Sequence, residues 1–326
     1  MKVLLRRLGV YILIAYVTIT LNFVLPHMMP GNPIEQLIGK LRGRVTPQMI
    51  QNIKAQFGQG LNQPLIVQYF HYLDQLAHGN LGESITLSSP VQQVLAGQVW
   101  WTIGLIGVAT VISFFVGTAL GVAFGWTRGS RADAVIPVTT FLQSVPYYFL
   151  GIVLVMVFAN QLHWFPLTNA YSSTVTPGFH WDFIASVIRY GELPVISIVL
   201  SSLAGWMLGM RNMMVTTVGE DFVLMAVAKG LPRRRVIWHA ARNAILPSVA
   251  NLTLTIGFLV SGSLVVELVF NYPGVGNLLV NAVGNEDYPL LQGIFLLITF
   301  TVLGANYLAD VLYYVLDPRT RTAKAY

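Results

Sequence analysis

The sequence contains no cysteine. That excludes a disulfide framework, a thiolate-held zinc ion and a thiol nucleophile. Charge is scarce as well. Only 10% of the 326 residues are Asp, Glu, Lys or Arg, against roughly a quarter in a soluble globular domain. A chain this long with so little charge has the bilayer as its natural solvent. A phosphate-binding loop is missing, since Gly39-Lys40 is followed by Leu41 and has no glycine five residues before it. No HExxH or GxSxG run occurs, and the six histidines (27, 71, 78, 163, 180, 239) are scattered. The composition therefore argues against a metal site, a bound nucleotide and covalent catalysis by this chain. No internal repeat, low-complexity tract or separate soluble domain is evident.

What is present is apolar sequence, 55% of the chain, arranged in long runs. A helix crossing the hydrocarbon core needs about 20 mostly apolar residues. Six runs qualify: Leu8 to about Met28, within Val99–Trp126, within Val135–Gln161, Leu193–Met210, about Pro247–Phe270, and about Pro289–Val315. The expected fold class is an all-α membrane protein of about six transmembrane helices. The first run follows Lys2, Arg6 and Arg7 as a signal peptide would. Its apolar stretch exceeds a usual signal core and no small-x-small cleavage site follows, so it reads as a retained helix.

Six spans put both termini on one side. With the N-terminus inside, most of the 19 Lys and Arg fall on cytoplasmic segments, among them Lys2, Arg7, Arg128, Arg211, Lys229, Arg233–Arg235 and Arg319. Four of the exceptions, Lys40, Arg42, Arg44 and Lys54, share one long outer loop, where the positive-inside rule reads poorly. The net charge of +6 thus marks topology, and a nucleic-acid face is the weaker reading. The expected division is a transmembrane helix at 1–29, an extracytoplasmic segment at 30–98, a core transmembrane domain at 99–316 and a cytoplasmic tail at 317–326. In the outer segment, Thr46–Phe57 and Pro64–Ala77 read as short helices, capped by Thr46 with Pro47 in the first instance. Residues 162–192 read as a second outer loop. Gly117, Gly121 and Gly125 recur every fourth residue, a spacing that lets helix backbones approach closely in lipid. Packing within one bundle is the favoured reading, and a seam against another subunit is the alternative.

The most informative stretch is the cytoplasmic segment 218–247. Glu220 and Asp221 suit a helix N-terminus, and Phe222–Lys229 reads as helix. Lys229 suits its negative end, Gly230 can take the left-handed closing conformation, and Pro232 stops the helix. Arg233–Ala244 then reads as a second helix, ended or kinked near Pro247. The first helix is too short to stand alone in water, so it packs on its own bundle or on a soluble partner.

The residues Ala226-Val-Ala228-Lys229-Gly230-Leu231, followed by His239-Ala-Ala-Arg242-Asn243 and Pro247, resemble the "EAA" cytoplasmic loop of ABC importer permeases, in its dipeptide/oligopeptide/nickel form. Other stretches match the same family in order: Leu5–Leu8, Pro30–Pro33, Gly79–Ser84, Pro90-Val91, Ser144–Gly151, Glu267–Gly276, Asp287-Tyr288 and Asp310–Arg319. Asn32 and Asn80 stand where the family usually has Asp, and Gly230 to His239 is one residue shorter. The resemblance implies a first-permease (B-type) subunit with the type I ABC importer transmembrane fold, in a prokaryotic cell membrane. It implies a homologous second permease, two ABC ATPase subunits that use ATP and Mg, and an extracytoplasmic solute-binding protein as partners. No cofactor would be held by this chain. The ATPase-coupling residues carried over are Glu220, Asp221, Ala226, Ala228, Lys229, Gly230, Leu231, His239, Arg242, Asn243 and Pro247. The cargo implied is peptides, with oligosaccharides or nickel chelates as alternatives.

Two carboxylates lie in or near spans, Glu267 and Asp310. Such groups usually face a bundle interior or a water path. Here an interfacial carboxylate or a salt bridge is the favoured reading, and a pathway role the rival. A secondary transporter or channel explains the spans but not the Ala226–Pro247 segment. A membrane-embedded enzyme lacks a convergent catalytic set.

Overall fold

The structure is a computed structural model that describes residues 2–28, 63–127, 129, 134–257 and 264–316. In lipid, every backbone polar group must be satisfied within its own segment, so apolar runs become helices. In chain order these are α1 (Lys2–Met28), α2 (Leu65–Ala77), a two-residue antiparallel hairpin of β1 (Glu83–Ser84) and β2 (Ser89–Pro90), α3 (Val91–Trp126), α4 (Val135–Ser144) and α5 (Tyr147–Leu154), which continues as a π-helical turn over Val155–Gln161. There follow α6 (Trp181–Val218), α7 (Asp221–Ala228), α8 (Arg233–Ala244), α9 (Leu246–Gly257), α10 (Leu264–Val269), α11 (Val275–Gly284) and α12 (Tyr288–Leu316). Hydroxyls inside the spans bond back to their own helix: Thr18 donates to Ile14 O at 2.8 Å and Ser113 to Ala109 O at 2.7 Å. Polar side chains are tolerated in an apolar run for that reason.

Among the described residues, α1, α3, α6 and α12 are each long and apolar enough to cross a membrane, and α4 with α5 makes a fifth span if counted as one. The expected run Pro247–Phe270 is divided between α9 and α10, and residues 258–263 between them lie outside the described residues. So do the expected helix Thr46–Phe57, the Pro30–Pro33 stretch and the tail 317–326.

Three expectations need correction. The third run is not one straight helix: α4 and α5 meet at 97°. Val145 is extended (φ −85°, ψ 122°) before Pro146, as the clash between a proline ring and the preceding residue requires, and Ser201 Oγ donates to Val145 O at 3.2 Å. The outer loop ends at residue 180, because helix α6 already begins at Trp181. α6 is 38 residues long, about 57 Å, nearly twice the hydrocarbon thickness. Finally, helix α3 begins at Val91, eight residues before the apolar run expected within Val99–Trp126.

By its packing the chain forms two compact units, one of residues 1–101 with 273–326 and one of residues 102–272. α3 starts in the first and continues in the second. In the first unit, α1 and α12 run antiparallel. Arg7 forms an ion pair with Asp310, whose Oδ2 also accepts from Tyr11 Oη at 2.9 Å, while Asn22 Nδ2 donates to Gln292 O at 2.8 Å. The start of α3 (Val91, Leu95) packs with α11 (Val275, Ala282) and α12 (Leu290, Leu291, Ile294) in a buried apolar core.

In the second unit, α3 lies against α6 along the glycine series. A β-carbon on Gly117 would lie 2.6 Å from Trp206 Cβ, on Gly121 2.6 Å from Met207 O, and on Gly125 2.5 Å from Met214 Cβ. Those separations leave no room for any side chain, so the glycines serve close packing inside one bundle.

Candidate functional site

The segment 218–247 folds in the second unit as the sequence expects, and its hydrogen bonds show why. Glu220 is extended (φ −75°, ψ 147°) and its carbonyl accepts from Val223 and Leu224, which starts α7. At the other end Gly230 N donates to Val227 O at 2.9 Å and Leu231 N to Ala226 O at 3.2 Å. This pair of bonds is the Schellman closure, and it needs a left-handed residue at Gly230, whose φ is +71°. Pro232 then precedes α8, and its carbonyl accepts from Arg235 at 2.8 Å. Arg233 stands 5.9 Å from the centre of the Trp126 ring, within reach of a cation–π attraction.

Only one side of α7 is covered. Val223 is buried with Met210 and Met214 of α6 and with Val236, Ala240 and Ala244 of α8, and Ala226 and Leu231 pack at the edge of that cluster. Around the rest of α7, Phe222, Leu224, Met225 and Val227 are 43–61% exposed. A helix of eight residues that shows apolar side chains to the outside is built to be covered by something. These four are functional candidates that residue-by-residue motif reading passed over. The signal for them is in the sequence: Phe222–Val227 is apolar on every side.

Of the candidate residues taken from the motif, Ala226 and Leu231 are half-buried in the α7–α8 seat. Glu220, Asp221, Ala228, Lys229, Gly230, His239, Arg242, Asn243 and Pro247 are exposed. His239 contributes its carbonyl, which accepts from Asn243 Nδ2 at 3.0 Å. Glu267 is fully buried on α10. Asp310 belongs to the first unit and is salt-bridged to Arg7.

A second polar arrangement lies in the first unit. Asp287, with no exposed surface, caps α12 and gathers four donors: Ser84 Oγ at 2.6 Å, Thr86 N at 2.9 Å, Ile85 N at 3.2 Å and Leu290 N at 3.3 Å. Ser84 Oγ in turn accepts from Leu87 N at 3.1 Å. Gly79 and Gly82 bring the chain into this turn with φ of +73° and +81°. A carboxylate holding this many N–H and O–H donors is a structural clamp. Both stretches stand in the family resemblance, but only the fold shows that they meet.

Comparison with known proteins shows the family. Residues 116–322 match the family described as "Binding-protein-dependent transport system inner membrane component", and residues 1–94 match its N-terminal companion. The chain belongs to this family. It is 34% identical to the di/tripeptide transport system permease protein DppB of Pseudomonas aeruginosa over 331 residues, 97% of each chain. It is 33% identical to the dipeptide transport system permease protein DppB of Escherichia coli K12, over 99% of this chain and all of that one. It is 31% identical to the oligopeptide transport system permease protein AppB of Bacillus subtilis, over 92% of each. The permease is thus a multi-pass protein of the bacterial inner membrane and a component of a transport system.

Proposed function

We propose that this permease is the B-type membrane subunit of an ATP-driven peptide importer, and that α7 with the Gly230 corner is the seat of an ABC ATPase subunit. The observation that carries the reading is the half-covered α7. Val223 fixes it to α6 and α8, while Phe222, Leu224, Met225 and Val227 remain open to a partner. Glu220, Asp221 and Lys229, all exposed, stand at the two ends of that apolar stretch, in keeping with the polar rim of a protein interface. The peptide cargo is inferred from the relatives, whose names specify dipeptides, di/tripeptides and oligopeptides; it is preferred here over oligosaccharides and nickel chelates.

On this reading a homologous second permease completes the path, two ATPases bind the cytoplasmic side, and a solute-binding protein delivers cargo outside. ATP and Mg are held by the ATPases and no cofactor by this chain. ATP binding draws the ATPases together and moves α7. Because Val223, Val236, Ala240, Met210 and Met214 are close-packed, that movement passes to α6 without being absorbed. The path opens outward, accepts cargo, and returns inward after hydrolysis. Pro247 stands in the first turn of α9, where the cytoplasmic segment ends.

The test is the double variant Leu224→Asp/Met225→Asp in the reconstituted transporter. Both side chains are exposed, so the folded chain should keep its thermal transition within the usual range for surface changes, about 0.5 kcal/mol. The expected result is loss of the co-purifying ATPase and of ATP-driven uptake of a labelled dipeptide. Retained ATPase with normal uptake refutes the docking assignment. Uptake by the unaltered complex of an oligosaccharide or a nickel chelate, but of no peptide, refutes the cargo assignment.

A further inference from the structure

Helix α2 has a surface that the transport reading leaves unexplained. Its residues sort into three stripes. Tyr69 and Tyr72 turn to α1: the Tyr69 and Thr20 hydroxyls are 2.8 Å apart, Asn22 Nδ2 reaches Tyr72 Oη at 3.5 Å, and the Phe23 ring centre is 5.3 Å and 5.5 Å from those of Tyr69 and Tyr72. His71, Asp74 and Gln75 form a mostly polar side, with Val67, 45% exposed, among them. Between the two lie Ile66 and Phe70, one turn apart, 61% and 63% exposed.

The depth of the seat identifies what meets that third stripe. The apolar run of α1 extends from Arg7 to Leu25, and α2 rests on Thr20–Phe23. Thr20 is five residues inside the end of the run, about 7–8 Å at helical rise. Interfacial helices bury an apolar face about 5–10 Å into the boundary between head groups and acyl chains. Other side chains of α1 near that level, Val17, Leu21, Val24 and Leu25, are 38–54% exposed, an apolar surface at bilayer depth. Ile66 and Phe70 are exposed on the helix seated at that level. Tyr69 and Tyr72, with apolar rings and polar tips, suit the same boundary.

We propose that α2 is an interfacial membrane helix: Ile66 and Phe70 rest in lipid of the leaflet at the Met28 end of α1, and Asp74 and His71 face water. With the N-terminus inside, that is the outer leaflet. The helix anchors the outer segment to the bilayer beside α1.

The lack of native cysteine makes the test direct. Ile66→Cys, Phe70→Cys, His71→Cys and Asp74→Cys are each spin-labelled in the full chain, with co-purifying subunits freed of cysteine, in phosphatidylethanolamine/phosphatidylglycerol nanodiscs. Labels at 66 and 70 should collide readily with oxygen and several-fold less with a water-soluble nickel chelate than labels at 71 and 74. Equal nickel access at all four positions overturns the proposal. So do immobile labels at 66 and 70 that neither agent reaches, since these mean a protein partner covers the stripe. A second measurement uses the unaltered chain and a diazirine-bearing phospholipid. Photolabel on the 65–77 peptide as well as on α1 is expected, and label on α1 with none on α2 overturns the proposal.

Discussion

The Gly230 corner and the Asp287 cradle are both tight turns built on left-handed backbone, yet they hold together in opposite ways. At the corner every closing bond reaches back three to five residues, Gly230 to Val227 and Leu231 to Ala226, and the outer surface is open. In the cradle the decisive bond joins Ser84 to Asp287, 203 residues apart, and the carboxylate has no exposed surface. A short-range turn forms wherever its sequence occurs and leaves its side chains available for a partner. A long-range clamp exists only in the folded chain and spends its polar groups internally. The first design suits a moving joint, the second a fixed anchorage.

That contrast is testable by substitution. Asp287→Ala should have the largest effect on stability. It removes the acceptor of four donors and leaves the Ser84 hydroxyl and the Ile85 amide without their charged partner, a loss of at least about 3 kcal/mol. A lowered thermal midpoint in detergent, with fast amide exchange at Ile85 and Thr86, is the expected result; unchanged protection there breaks the comparison. Ser84→Ala removes one charge-assisted bond and the acceptor of Leu87 N, so about 2 kcal/mol is expected by the same assay.

Gly230→Val probes the corner. A β-carbon there meets nothing within 4 Å, so only the φ of +71° resists it, at about 1–2 kcal/mol. Stability should fall modestly while ATP-driven uptake falls far more, and Gly230→Asn, which tolerates the left-handed region, should retain much of it. Equal losses of stability and uptake would remove the distinction between joint and anchorage. Leu224→Ser should change stability least, within about 0.5 kcal/mol, because the side chain is 57% exposed. A clear drop in the thermal midpoint would mean that α7 is packed rather than open.

Much of this was legible in advance. Long apolar runs with few charges required a membrane protein, and α1 and α12 lie where the runs were. The α7–Gly230–α8 unit was legible almost to the residue, because caps, a left-handed glycine and a proline stop act on neighbours. The 97° break at Val145-Pro146 had its local cue in the proline, but the apolar run on both sides masked it. The early start of α6 at Trp181 was hidden by Asp182, Arg189 and Glu192, whose charges set residues 181–192 apart from the apolar run. The apolar character of α7 was legible too, but Phe222, Leu224, Met225 and Val227 stayed out of the candidate residues because the motif directs attention to its small and polar members.

The sequence by itself determined the solvent of this chain and the elements whose making depends on a few adjacent residues. The tertiary structure alone decided which side of each element is covered. Val223 turns inward and Leu224 outward; Gly117, Gly121 and Gly125 meet α6; Ser84 finds Asp287. Backbone chemistry reaches across one turn, whereas burial and pairing across a hundred or more residues depend on how the whole chain closes on itself.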